Sequence, residues 1–318
     1  MDAFEQLIGE IFSSQGYWVQ TSFKVELTKE EKTAIGRSSS PRWELDLVAY
    51  RPSINEILVI ECKSYLDSTG VGASDLVPQE ETTKSRYKLF VESELRKVVF
   101  KRLELQLLES GLCRANPLIK LGLACGRVKT SRNVDNRFLL KKLAAENNWK
   151  LYDENWINLH LVNMAQTGYQ NKVSSVVAKI MERGESVNKY AHVAIKAVHK
   201  LQAKPIQPKN AWIQSAKEVF PNNSEAQKKE CPKNAFLGLC AEGLIKGVPS
   251  GEYTKSIQNK SYAIKAADIF KKSSTMFSCP TGLWKQTLIE LSEDENKTHN
   301  QQMHVVIALY ELGFICMS

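Results

Sequence analysis

Two carboxylates and an ammonium group stand close together near the start of this 318-residue chain. Asp46 lies in the run Trp43-Glu44-Leu45-Asp46-Leu47-Val48-Ala49-Tyr50. Glu61-Cys62-Lys63 closes the apolar run that begins at Ile57, with fourteen residues between Asp46 and Glu61. A pair of carboxylates can share a hard divalent cation, and an ammonium beside them can orient a water molecule or offset phosphate charge. The spacing reads as a metal-dependent phosphodiesterase site carried on a β-hairpin.

Such a site needs two strands in a defined register. Trp43, Leu45, Leu47 and Ala49 alternate with Glu44, Asp46, Val48 and Tyr50, the period of two that marks a strand with unlike faces. Strict alternation predicts that Asp46 points away from Leu45 and Leu47. Arg51 to Asn55 carries turn chemistry, a proline that fixes φ and Ser and Asn side chains that cap backbone groups, so Glu56 to Lys63 is expected to return antiparallel. On that second strand Glu61 and Lys63 share a face, while Ile60 and Cys62 face the core. With the faces matched, Asp46, Glu61 and Lys63 converge. Ile57 to Ile60 is apolar on both faces, as in a central covered strand, and charges at the end of such a strand need a reason.

The stretch from Phe4 to Lys63 resembles the PD-(D/E)XK nuclease superfamily, and within it the Mrr-type restriction endonucleases and archaeal Holliday-junction resolvases. Phe4-Glu5-Gln6-Leu7-Ile8, Ile11-Phe12, Gly16-Tyr17 and Trp18-Val19-Gln20 match the opening helix of that family, its glycine-aromatic ending and the strand after it. The resemblance implies an α/β, restriction-endonuclease-like core, a central mixed β-sheet flanked by helices. It implies Asp46 and Glu61 as the main metal ligands, Glu5 as a further metal or water ligand, Lys63 as the catalytic lysine, and Mg²⁺ or Mn²⁺ as the ion. DNA is implied as the substrate, with RNA left open. Leu45 stands where the motif's name places a proline. Glu44 shares the alternation of Asp46 and is read as a supporting carboxylate. The polar segment between Thr21 and Arg42 reads as a loop, with a flap over the substrate as the alternative.

Composition sets the surrounding limits. With 43% hydrophobic and 25% charged residues the chain has the make-up of an ordinary soluble protein. No run approaches the roughly 18 apolar residues of a membrane helix. Met1-Asp2-Ala3-Phe4-Glu5 lacks a basic leader region, so no secretory signal is expected. The seven cysteines are irregularly spaced, which predicts free thiols and a cytoplasmic location. The net charge is +8, and Arg86 to Lys142 alone holds 14 Lys or Arg against 5 Asp or Glu. A concentrated basic surplus suits phosphate contact, and Arg127, Lys129 and Arg132 are the candidate nucleic-acid-binding residues.

The order helix, strands, helix, strand, helix, strand predicts a first domain over residues 1–164. Residues 165–208 read as a helical connector ending in the linker Lys204-Pro205-Ile206-Gln207-Pro208. Residues 209–318 read as a small all-α domain, with helical spacing in five segments beginning at Ala211, Asn234, Tyr262, Gly282 and Met303. Its strings Cys231-Pro232-Lys233, Phe236-Leu237-Gly238-Leu239-Cys240 and Ile245-Lys246-Gly247-Val248-Pro249 resemble an uncharacterised bacterial helical module. Cys231, Cys240, Cys279 and His304 contain no C-x-x-C pair, so buried thiols are expected there rather than zinc. Three functional readings follow: a DNA endonuclease of restriction or defence type, a repair or recombination nuclease acting on junctions as a homodimer, and a DNA-binding scaffold that does not cut. In the first, the helical domain is a sensor or specificity module; its own residues leave open recognition of nucleic acid, a protein partner or a signal, or oligomerisation.

Overall fold

The computed structural model describes residues 2–37, 42–77, 86–131, 134–166, 174, 177, 188–272 and 279–316. The chain forms two compact units, Met1–Ile157 and Asn158–Ser318.

The first unit is an α/β layer structure around a five-stranded mixed sheet of order β1-β2-β3-β4-β5. Helix α1 (Ala3–Ser14) starts at Asp2, whose carboxylate accepts the Phe4 N–H at 3.1 Å and so satisfies one of the free first-turn donors. It buries Phe4, Ile8, Ile11 and Phe12, and ends before Gly16, whose φ of +86° turns the chain into β1 (Trp18–Val25). β2 (Trp43–Arg51) pairs antiparallel with β1 on one side and with β3 (Glu56–Lys63) on the other. The β2–β3 turn is the expected one: a short 3₁₀ turn over Pro52–Ile54, then Asn55 in the left-handed conformation with its Oδ1 accepting from Tyr50 Oη at 3.0 Å.

After β3 the topology changes from hairpin to crossover. Helices α3 (Lys88–Val91) and α4 (Ser93–Glu109) then precede β4 (Leu118–Cys125), which runs parallel to β3, while α2 (Lys29–Ala34) lies earlier, between β1 and β2. Then α5 (Asn136–Glu146) leads to β5 (Lys150–Tyr152), parallel to β4. β3 is central, and Ile57, Leu58, Val59 and Ile60 are each no more than 2% exposed. Burying each of these side chains is worth about 1.5–3 kcal/mol, which makes the strand a rigid carrier for the charged residues at its end. One face of the sheet is covered by α1. The other meets α4, where Leu95, Val99, Leu103 and Leu107 pack with Phe23, Leu45, Val48, Ile57 and Val59.

Two sequence expectations are revised. The apolar spacing of Tyr87 to Leu108 reads as one continuous helix, but the chain is broken at Glu92, which is extended, and Arg96 donates to the freed carbonyls of Leu89 and Phe90 at 2.6 and 3.1 Å. The segment expected as a loop between Thr21 and Arg42 contains α2, closed by a Thr28–Glu31 capping box and anchored to α4 by a two-pronged pair between Glu31 and Arg102. Residues 38–41 of that segment lie outside the described residues.

The second unit is all-helical. Helix α6 (Glu154–Gln166) carries the division between the units, and α7 (Lys189–Ala203), α8 (Pro208–Val219), α9 (Ser224–Lys228), α10 (Glu230–Ala241), α11 (Ile257–Lys272), α12 (Pro280–Glu290) and α13 (Gln302–Glu311) follow. The five expected helical segments all appear. Their core is built on Trp212, Phe236 and Phe270, and it includes Val193, Ala194, Ala197 and Val198 of α7. The helix read as a connector is therefore part of this domain, and Pro208 is the first residue of α8 rather than part of a free linker. Cys240 is fully buried and no described cysteine is in a disulfide. Among the described residues, no helix is long and apolar enough to cross a membrane.

The end of β4 is pressed against the residue after Lys63. Gly126 N–H donates to Lys63 O at 3.0 Å, and a Cβ at Gly126 would lie 2.2 Å from Ser64 O. Gly126→Ala is expected to destabilise the protein by about 1–3 kcal/mol through overpacking, measured as a lower urea midpoint. An unchanged midpoint would mean that the two strand ends are not in this contact.

Candidate functional site

The site forms where β2 and β3 separate. Their ladder ends at the pair Leu47↔Ile60, a register that places Asp46 across from Glu61. The next ladder bond is replaced by a side chain: Asp46 Oδ2 accepts the Cys62 N–H at 2.8 Å. A buried N–H left without an acceptor costs about 1–3 kcal/mol, so Asp46 both fills this gap and is oriented by it. On its other side, β1 is irregular at the same level. The register passes from Thr21↔Leu47 to Phe23↔Leu45, and Ser22, between them, has a φ of +50°.

This irregularity corrects the alternation expected for β2. Leu47 and Thr21 lie against Gly9 of α1, whereas Leu45 and Phe23 belong to the α4 core. Leu45 and Leu47 thus face opposite sides of the sheet, and Asp46 sits at the switch. The left-handed residue in β1 rotates the strand pair, and the carboxylate comes to lie between the two faces.

Lys63 closes the cluster. Its Nζ lies 3.3 Å from Asp46 Oδ2, 3.1 Å from Glu61 Oε1 and 3.2 Å from Cys62 O. The three expected residues therefore converge. Burial works to lower the Lys63 pKa, but the Glu61 and Asp46 carboxylates outweigh it and hold the ammonium above its ordinary value. In this setting the two carboxylates favour the charged form of Lys63. Glu61 is pushed up by burial and by Asp46 and Glu5, with Lys63 opposing.

Glu5 approaches from the first turn of α1. Its Oε2 is buried without a hydrogen-bond partner among the described residues, and its pKa is raised by burial and then by Asp46. Asp46 and Glu61 share the Lys63 ammonium and Glu5 repels both, a local excess of negative charge of the kind that attracts a hard cation. Among the described residues no three His, Cys, Asp or Glu side chains are gathered closely enough to cage a metal ion by themselves. An ion here would take its remaining ligands from water and substrate oxygens, as Mg²⁺ commonly does. The residues fit an open site rather than a closed one. Glu44 is exposed and stands opposite Lys24 of β1.

The basic surplus is largely spent inside the fold. Arg102 pairs with Glu31 at 2.8 Å and Lys120 with Glu56 at 2.6 Å. Arg137 pairs with Asp153 and Glu154, and Arg96 caps α3. Arg127 and Lys129 remain exposed on the continuation of β4, bracketing buried Val128, which bridges to Val71. Because Lys63 registers with Cys125, these two cations project from the same strand-end rim as the carboxylates. Arg127 donates to Ser68 O at 3.0 Å. Arg132 lies outside the described residues.

Glu61 and Lys63 also line a cleft of about 460 Å³ together with Trp43, Tyr65, Arg86 and Lys88. The spacing of motif residues did not single out these four. Tyr65, two residues beyond Lys63 on the same strand end, was the one signal available.

Comparison with known proteins reaches only the helical unit. Residues 187–316 match a family of unknown function, DUF6979. No curated protein and no solved structure matches the chain. The match begins just before α7, which agrees with the place of that helix in the second core.

A carboxyl whose pKa is raised on folding binds more protons folded than unfolded between its two values, so stability falls as pH rises through that window. Glu5→Gln removes that cost. Its melting temperature is expected to exceed that of the wild type at neutral pH, with the gain disappearing below the ordinary carboxylate range. Calorimetry at the two pH values checks this, and a gain that persists in acid would contradict it.

Proposed function

We propose that this chain is a divalent-metal-dependent phosphodiester hydrolase with a PD-(D/E)XK-like core, a DNA endonuclease of restriction or defence type. The supporting observation is the pairing of Asp46 and Glu61 with the ammonium of Lys63 at the open end of a buried strand, with the Glu5 carboxylate near enough to repel both. Asp46 and Glu61 are the residues that would hold Mg²⁺ or Mn²⁺, with Glu5 beside them. When bound, the ion supplies Lewis-acid stabilisation of phosphoryl charge and activation of water.

The protein's own groups supply the remainder. Lys63, kept protonated, offsets the negative charge that builds on the phosphoryl oxygens in the transition state. Glu5, with one oxygen free of partners, accepts a hydrogen bond from the attacking water and orients it. The Cys62 N–H holds Asp46 in one rotamer, so the carboxylate needs no reorganisation when substrate arrives. Arg127 and Lys129 on the rim give sequence-independent contact to the phosphate backbone.

The test is cleavage of supercoiled, linear, single-stranded and four-way-junction DNA with Mg²⁺ or EDTA. Cutting that requires Mg²⁺ and falls on the order of 10²–10³-fold in Lys63→Ala and Asp46→Ala is expected. Metal-independent cutting, or cutting that survives both substitutions, contradicts the site. Activity confined to junctions assigns the enzyme to recombination. Binding to DNA without cutting, in every condition, returns the reading of a non-cutting scaffold.

A further inference from the structure

The cleft beside the carboxylates has a composition that phosphodiester hydrolysis alone does not explain. It is lined by Glu61 and Lys63 together with Arg86 and Lys88, at and just before the start of α3. Neither Arg86 nor Lys88 forms an ion pair with an acid among the described residues, unlike most cations of the surrounding stretch. Arg86 does donate weakly to Tyr65 Oη, at 3.5 Å. Two aromatic rings, Trp43 and Tyr65, and Leu89 complete the lining.

Both rings are held in place. The Arg37 guanidinium sits 5.1 Å from the centre of the Trp43 ring, and Arg37 is itself fixed by Glu92 at 2.8 Å. Tyr65 has a φ of +42°, an uncommon and strained conformation for a bulky side chain, immediately downstream of the catalytic strand. Strain of this kind persists only where the surroundings enforce it, and here it brings the phenol into the cleft.

Trp43 and Tyr65 are half-buried against the core. Cations spaced beside such rings form a pattern by which proteins grip single-stranded nucleic acid, the cations on phosphate and the rings on bases. A duplex hides those base faces in its own stack. The cleft volume lies within the usual range of about 300–1,000 Å³ for small-ligand pockets. We propose that this cleft binds one unpaired nucleotide next to the scissile phosphate, its base against Trp43 and Tyr65 and its phosphate on Arg86 and Lys88. This rests on the phosphodiesterase reading and deepens it: the substrate is nucleic acid with a single-stranded segment at the cut, such as a flap, a frayed end or a bubble.

The test separates binding from cutting. Anisotropy of a labelled oligothymidylate strand is measured with the full-length protein in EDTA, beside a hairpin duplex of equal length. Arg86→Ala/Lys88→Ala and Trp43→Ala are each expected to weaken single-strand binding at least about fivefold, in line with the energy of one stacked base. Trp43→Phe, which keeps a stacking ring, restores most of the loss and controls for folding. Lys142→Ala, a basic residue of the same stretch paired with Glu146, leaves binding unchanged. Single-strand binding that is unaltered in the Arg86/Lys88 double variant, or duplex binding that is equally tight and equally reduced, overturns the proposal.

Cleavage of the same strand with Mg²⁺ then distinguishes the two levels. Cutting with an unchanged KM in the Arg86/Lys88 variant sinks the cleft and leaves the hydrolase reading standing. Variant-sensitive binding without any cutting sinks the hydrolase reading and leaves the cleft.

Discussion

The first unit is organised around an imbalance of charge: two carboxylates, Asp46 and Glu61, share one ammonium where β2 and β3 part, and a third, Glu5, repels both. Lys63 is the only cation that touches both Asp46 and Glu61 among the described contacts. It stays charged because they outweigh the cost of burying it. The backbone is committed to the same arrangement, since the Cys62 N–H that would extend the ladder is satisfied by Asp46 instead. Removing any one member therefore strands another: a carboxylate without its donor, an ammonium without its anions, or an N–H without an acceptor. What the cluster still lacks is positive charge, the deficit that the proposed divalent cation would fill.

The scaffold holds this unfavourable cluster by surrounding it with favourable contacts. β3 is buried on both faces along Ile57 to Ile60, so the strand end that carries Glu61 and Lys63 cannot drift. Gly126 allows β4 to press against Ser64, and Gly70, at φ +86°, lets the following loop lie against Arg127 to Lys129 where a Cβ would come within 2.7 Å of backbone. The chain segments after β3 and β4 are thereby joined, and Arg127 and Lys129 are set on one rim with the site. Stability and site geometry draw on the same few close approaches.

Much of the site was legible because it depends on local rules. A period of two, a Pro-containing turn and an apolar run on both faces were enough to bring Asp46, Glu61 and Lys63 together. The features that escaped are those set by distant partners. Leu45 and Leu47 face opposite sides because of a single left-handed residue, Ser22, in a neighbouring strand, and nothing within residues 43–50 announces it. The helix after β1 had a local signal in its Thr28–Glu31 capping box, but its anchor on Arg102 lies seventy-one residues away from Glu31. The basic surplus of residues 86–142 looked like a single surface, yet its acids, Glu31, Glu56, Asp153 and Glu154, come from outside that window. In the helical unit, apolar spacing located the helices but carried no chemistry. The match of residues 187–316 to a family of unknown function adds a boundary without an activity.

A direct measure of the charge imbalance is Mn²⁺ binding, followed by the loss of the free ion's electron paramagnetic resonance signal on titration with protein. One saturable site is expected in the wild type, lost or severely weakened in Asp46→Asn and in Glu61→Gln while both variants stay folded. Wild-type protein that leaves the Mn²⁺ signal untouched, or variants that bind as the wild type does, would show that the carboxylates around Lys63 are not a metal site.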